Sequence, residues 1–140
     1  KGLPDRLIEE IETNGSVNLN DEYKELLETV QTVNCSPKLS SSGNRFDLRH
    51  NDNTLRFINS LDTSYFKFVV SNVKDIVEVE KDFSFIDPRK IILMPATHNV
   101  HDKIEEDQKW KQYVWEFAVE KGWMYSSREH IDVFGLRAGV

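Results

Sequence analysis

Residues 34–44, Asn-Cys-Ser-Pro-Lys-Leu-Ser-Ser-Ser-Gly-Asn, gather the groups in this chain best suited to holding a ligand. Ser36 offers a hydroxyl, Lys38 a cation, and Ser40 to Asn44 a polar, glycine-containing loop. Val30–Cys35 before them reads as a strand, so Ser36-Pro37-Lys38 falls where that strand ends. In open α/β sheets and (β/α) barrels, ligands bind at the carboxyl ends of the strands. Pro37 lacks a backbone N–H and fixes its own φ, which stops the strand and aims Ser36 and Lys38. Turn chemistry alone also accounts for Pro, Ser and Gly here, with Lys38 then a solvated surface cation.

Other strand ends carry polar groups that a shared mouth would bring together. These are Glu12-Thr13-Asn14, Met94-Pro95-Ala96-Thr97 and the segment around His130. Lys67 lies inside an apolar run, Phe66 to Val70, and must reach an edge or enter a polar cavity with a partner. Glu12 is a natural partner if the two strands are neighbours; otherwise Lys67 sits on an exposed strand face. His98 and His101, followed by Asp102, have a spacing that suits metal ligation only on a helix, and a solvated loop is the plainer reading. His50, beside Arg49 and Asn51 in a polar loop, reads as exposed. His130 precedes an apolar segment, which places a titratable ring near the sheet edge.

The elements that must position these groups alternate along the chain. Strands are expected at Leu7–Thr13, Val30–Cys35, Tyr65–Ser71, Ile91–Met94 and His130–Phe134. Helices are expected at Asp21–Thr29, Thr54–Leu61, Val73–Phe83 and about Asp102–Lys121, with Asn20 or Asp21 and Ser71 or Asn72 as caps. In the last helix Trp110, Tyr113, Val114, Phe117, Ala118 and Lys121 repeat with helical spacing, a core-facing stripe ended by Gly122. Residues 40–53 and 95–104 read as loops following strands. The order β-α-β-α-β-α-β-α-β makes an α/β fold with a mainly parallel sheet.

Composition narrows the function classes. The 140 residues suit one domain, and 18 basic against 24 acidic residues give a net charge of −6. That balance argues against a general nucleic-acid or membrane-surface binder. No stretch has the length of a membrane span or the pattern of a secretion signal. Cys35 is the sole cysteine, so no intrachain disulfide forms, which fits a reducing cytoplasm, and an all-cysteine metal or iron–sulfur site is beyond this chain's own residues. The chain opens on Lys1 rather than methionine, which reads as a start inside a longer protein, with trimming as the alternative.

Taken in order, several motifs resemble one family. They are Glu12-Thr13-Asn14-Gly15, Ser36-Pro37-Lys38-Leu39, Phe66-Lys67-Phe68-Val69-Val70, Ile92-Leu93-Met94-Pro95, Ser127-Arg128-Glu129-His130, Phe134-Gly135 and Arg137-Ala138-Gly139-Val140. The set is similar to the C-terminal part of the 7-carboxy-7-deazaguanine synthase family of radical S-adenosylmethionine enzymes. The resemblance implies a partial, modified (β/α) barrel, with residues 1–140 forming the C-terminal part of that domain. It implies a carbon–nitrogen lyase that turns 6-carboxy-tetrahydropterin into 7-carboxy-7-deazaguanine on the route to queuosine, using S-adenosylmethionine, a [4Fe–4S] cluster and magnesium, in a typically dimeric protein. It places Ser36 and Lys38 on the cofactor side of the cavity, with Glu12, Thr13 and Asn14 at the neighbouring strand end. Met94 falls where relatives often carry glutamine beside the adenosine. His130 matches a substrate-pocket histidine, the Val140 carboxylate folds back toward it, and Lys67 matches a strand lysine on the substrate side. The family's cysteine triad lies before the part represented here, so the chain alone is expected to be inactive.

Two other readings stand beside the lyase. One is a non-catalytic α/β binding or dimerisation module with an apolar edge; the other is a metal-dependent hydrolase built on His98, His101 and Asp102. A barrel cut part-way also leaves an unpaired strand edge around residues 7–13, where self-association is expected.

Overall fold

The computed structural model describes residues 10–97 and 104–127. Five parallel strands form one sheet: β1 (Glu10–Thr13), β2 (Thr32–Cys35), β3 (Ser64–Val70), β4 (Ile91–Pro95) and β5 (Met124–Tyr125). Their spatial order is their chain order. Right-handed crossovers in a sheet that grows in one direction put every connecting helix on the same face. The result is an open, singly wound sheet, the architecture of a partial (β/α) barrel. The expected α/β class with a parallel sheet is the one observed.

The connections are α1 (Asp21–Thr29), α2 (Phe46–Arg49), α3 (Asp52–Ser60), α4 (Val73–Asp82) and α5 (Ile104–Lys121), with short 3₁₀ turns at Ser40–Ser42 and Pro88–Lys90. Asparagine starts three of the helices: the side chains of Asn20, Asn51 and Asn72 accept from the backbone N–H of Tyr23, Thr54 and Asp75. Gly122 ends α5 at φ 75°, and Trp123 N–H closes the turn on the Ala118 carbonyl at 2.8 Å.

Strand alternation decides the two faces of the sheet. Val33 and Cys35 of β2, Phe66, Phe68 and Val70 of β3, and Ile91 and Leu93 of β4 are buried beneath the helices. Leu55 and Ile58 of α3, Ile76 and Val79 of α4, and Val114 and Ala118 of α5 complete that core. The opposite face carries Thr32, Asn34, Tyr65, Lys67, Val69, Ile92 and Met94, all partly or well exposed. A sheet covered on both sides reads as continuous apolar runs. The mixed character of the second face fits the lining of a barrel interior.

Several expectations need correction. Residues 40–53 are not simply a loop: they hold a 3₁₀ turn and α2. His50 is not exposed, since its ring stacks on Phe46 at 4.7 Å, tilts against Phe83 at 5.1 Å, and keeps a buried Nδ1. In the aromatic stripe, Val114 and Ala118 are core and Trp110 and Phe117 pack on it, but Tyr113 is 42% exposed. β5 lies at Met124–Tyr125, where no strand was expected. The strand expected at His130–Phe134 and part of that expected at Leu7–Thr13 lie outside the described residues.

Candidate functional site

The alternation of β2 runs on past its last ladder pair. Val33, Cys35, Pro37 and Leu39 are buried toward the helices, while Asn34, Ser36 and Lys38 take the other parity and face the open side. Ser-Pro-Lys-Leu is therefore an extended lead-out from the strand, with Pro37 and Leu39 anchoring it so that Ser36 and Lys38 project together. The Ser36 N–H donates to the Thr13 carbonyl at 2.8 Å, which ties this lead-out to the end of β1. Cys35 pairs with Phe66 in register, so Ser36 lies beside Lys67 of β3.

These side chains line a common pocket of about 200 Å³ with Pro37, Leu39, Ser41, Ser42, Val69 and Ser71. It lies at the carboxyl ends of β2 and β3. Two cations and four serine hydroxyls meet there, with no carboxylate among the described lining residues. Neither the Lys38 nor the Lys67 ammonium makes an ion pair or hydrogen bond among the described residues. Such a lining is matched by a ligand carrying an anionic group and hydroxyls. The volume is below the ~300–1,000 Å³ of complete small-molecule sites, room for only part of a ligand of that size. Larger grooves exist, one of about 660 Å³ around Thr29–Gln31 and Ser60–Thr63. That one lies at the amino ends of β2 and β3, the edge that carries stability rather than ligands in parallel barrels.

The other sequence candidates are distributed around this pocket. Thr13 and Asn14 sit next to Ser36 but spend their side chains on the turn after β1. Thr13 Oγ1 accepts from Gly15 N–H at 3.1 Å, and Asn14 Oδ1 accepts from Ser16 N–H at 3.0 Å and Ser16 Oγ at 2.7 Å. Glu12 is on the open face, paired in register with Asn34. It is not a neighbour of Lys67, because β2 lies between β1 and β3, so the condition for a Glu12–Lys67 pair is not met. Met94 is the register partner of the pocket residue Val69, one strand over. His98, His101, Asp102, His130 and Val140 lie outside the described residues.

Cys35 does not fit a cluster ligand. Its thiol points into the core, where an added Cβ at Gly15 would lie 2.9 Å from it, and burial pushes its pKa up to about 12. A metal or cluster needs thiolate, so this sulfur is structural. Among the described residues no group of three or more His, Cys, Asp or Glu side chains is placed to hold a metal ion. No helix among them is long and apolar enough to cross a membrane.

What the sequence reading missed is the support of the loop after Lys38. Arg49 and Glu78 form a buried ion pair at 3.0 Å beneath it. Glu78 shares a helix face with the buried Asp75 and Val79, and a charged residue on a core-facing stripe signals a partner. The partner's identity, 29 positions away, has no local signature.

A singly wound parallel sheet with a cation-lined pocket at its carboxyl edge places the chain in the partial-barrel class of α/β folds. No protein-family model matches the chain. It is 32% identical over 132 residues, 93% of its length, to the 7-carboxy-7-deazaguanine synthase of Pyrobaculum aerophilum. The chain spans 54% of the length of that relative. The resemblance read from the ordered motifs is thus borne out by a relationship along nearly the whole chain.

Proposed function

We propose that this chain carries cofactor-facing and substrate-facing strand ends of a radical S-adenosylmethionine carbon–nitrogen lyase, of the type that converts 6-carboxy-tetrahydropterin to 7-carboxy-7-deazaguanine. The observation that supports this best is the convergence of Ser36, Lys38 and Lys67, with no counter-ion among the described residues, on one strand-end pocket of a chain related to such a synthase. In this reading Lys38 pairs with the methionine carboxylate of the cofactor, and Ser36 bonds its ribose. Thr13 and Asn14 shape the adjoining wall through their turn, Glu12 contributes a carboxylate beside it, and Met94 packs against the adenosine. Lys67, His130 and Val140 are assigned to the pterin side. The radical chemistry belongs to the cofactor, and this chain's residues orient ligands and exclude water. Among the described residues no group of three or more His, Cys, Asp or Glu side chains is placed to hold a [4Fe–4S] cluster or magnesium.

The test is to express the complete open reading frame that contains this chain, reconstitute it anaerobically with iron and sulfide, and supply 6-carboxy-tetrahydropterin, S-adenosylmethionine and a reductant. Formation of 7-carboxy-7-deazaguanine with release of ammonia is expected. A folded, cluster-loaded protein that leaves the pterin unchanged would sink the lyase reading. The alternative, a non-catalytic α/β binding or dimerisation module, is favoured by one observation: among the described residues β1 pairs only with β2, which leaves an open sheet edge.

A further inference from the structure

We infer that Arg49 and Glu78 are positioning residues of the strand-end pocket, acting through the loop that carries Lys38; this rests on reading the pocket as the S-adenosylmethionine site. The Arg49 guanidinium, with the residue only 7% exposed, holds both ends of residues 38–44. Its Nη1 donates to the Lys38 carbonyl at 3.3 Å and its Nε to the Asn44 carbonyl at 3.1 Å. The same Nη1 donates to Glu78 Oε2 at 3.0 Å. Glu78, projecting from α4, in turn takes hold of the middle of the loop. It accepts from Ser40 N–H at 3.1 Å and from Ser40 Oγ at 2.7 Å. Lys38, Leu39, Ser41 and Ser42, which lie in the held segment, are pocket residues.

Two physical points make this more than loop stability. A buried ion pair repays its desolvation only when its remaining donors and acceptors are satisfied, and an apolar pair of similar volume often serves stability as well or better. Here Arg49 Nε and Nη1 and both Glu78 oxygens find partners in one ligand-facing loop, its backbone and the Ser40 hydroxyl. The geometry also needs the guanidinium fork, since donors leaving it in different directions reach Lys38, Asn44 and Glu78 together, whereas a lysine ammonium is a point charge on a flexible stem. Arg49 further lies over the Phe46 ring, 5.1 Å from its centroid, which restrains the fork. The clamp thereby sets where the Lys38 side chain begins and how far it reaches into the pocket.

The experiment compares wild type, Arg49→Met, Arg49→Lys and Glu78→Gln in the complete reading frame with its cluster reconstituted. Backbone hydrogen exchange across residues 39–45 and the affinity for S-adenosylmethionine are both read. Arg49→Met is expected to speed exchange in that segment at least about tenfold, with β3 and β4 unchanged, and to weaken S-adenosylmethionine about tenfold. In turnover the loss is expected in KM for S-adenosylmethionine, with kcat largely kept. Arg49→Lys is expected to recover only a small part of the affinity, and Glu78→Gln to show the same signs more weakly, which keeps the test open if Arg49→Met fails to fold. Unchanged exchange, or faster exchange with wild-type affinity, overturns the inference while leaving the pocket reading intact. Failure of wild type itself to bind S-adenosylmethionine overturns the pocket reading, and the inference with it.

Discussion

Gly15 carries two constraints at once. Its φ of 71° lies where L side chains are strained, and an added Cβ would fall 2.6 Å from Leu55 Cδ2 and 2.9 Å from Cys35 Sγ. Both neighbours are fully buried, so neither yields easily. Gly15→Ala is expected to cost about 2–4 kcal/mol of unfolding free energy, from backbone strain and overpacking together; urea denaturation reads it, and a loss under ~0.5 kcal/mol would contradict it. Cys35 gives a prediction in pH. Burial raises its thiol from the ordinary 9.0 to about 12, so the unfolded chain ionises first. Its contribution is fully present below pH 9 and is lost as pH rises to about 12, on the order of 4 kcal/mol across that window. Other groups titrate there too, so the measurement is the difference between wild type and Cys35→Ala as a function of pH. That difference should shrink from pH 9 upward; a constant one would show that the thiol does not titrate differently in the two states. Ser36 and Lys38 were legible at this scale, because period-two alternation with Pro37 and Leu39 assigns them a face without any tertiary information.

At the scale of elements, caps and periodicity carried most of the fold. Asn20, Asn72 and Gly122 mark helix ends through local hydrogen bonds, which is why they can be read from neighbouring residues alone. The α4 cap adjoins the pocket: Asn72 Oδ1 accepts from Asp75 N–H, and buried Asp75 accepts from the N–H of the pocket residue Ser71 at 2.7 Å. Asn72→Ala is expected to lower stability by about 1 kcal/mol. Fraying should appear as faster exchange in the first turn of α4, and unchanged stability and exchange would show the cap to be idle. The misses have a common cause. α2 is one turn long and β5 two residues, too short to display a period. His50 has polar sequence neighbours, yet its burial comes from Phe46 one turn earlier and from Phe83 far along the chain. The Arg49–Glu78 pair likewise exists only once α4 packs beside β3.

At the scale of the molecule, the decisive property is a sheet that grows in one direction, with helices on one face and a polar, half-exposed second face. Alternating strands and helices in the sequence imply parallel pairing, but strand order depends on long-range contacts, so whether Glu12 and Lys67 lie on neighbouring strands could be settled only by the fold, which puts β2 between them. Among the described residues β1 pairs only with β2, leaving its other edge as a template for association. Glu10 and Glu12 stand on that strand in a chain of net charge −6, so two copies repel before they pair. The 140-residue chain is therefore expected to self-associate more as salt rises from 0.05 to about 0.5 M, where the Debye length falls to a few ångströms; light scattering that finds a monomer throughout would contradict this. The strand-end pocket as the seat of S-adenosylmethionine is tested most directly by its equilibrium affinity for the cluster-loaded complete protein, wild type against Lys38→Ala. Loss of a charge-assisted bond worth about 1.5–3 kcal/mol predicts binding weaker by roughly ten- to a hundredfold. Equal affinities, with the variant folded as wild type, would show that the ligand does not depend on Lys38 and that the pocket serves something else.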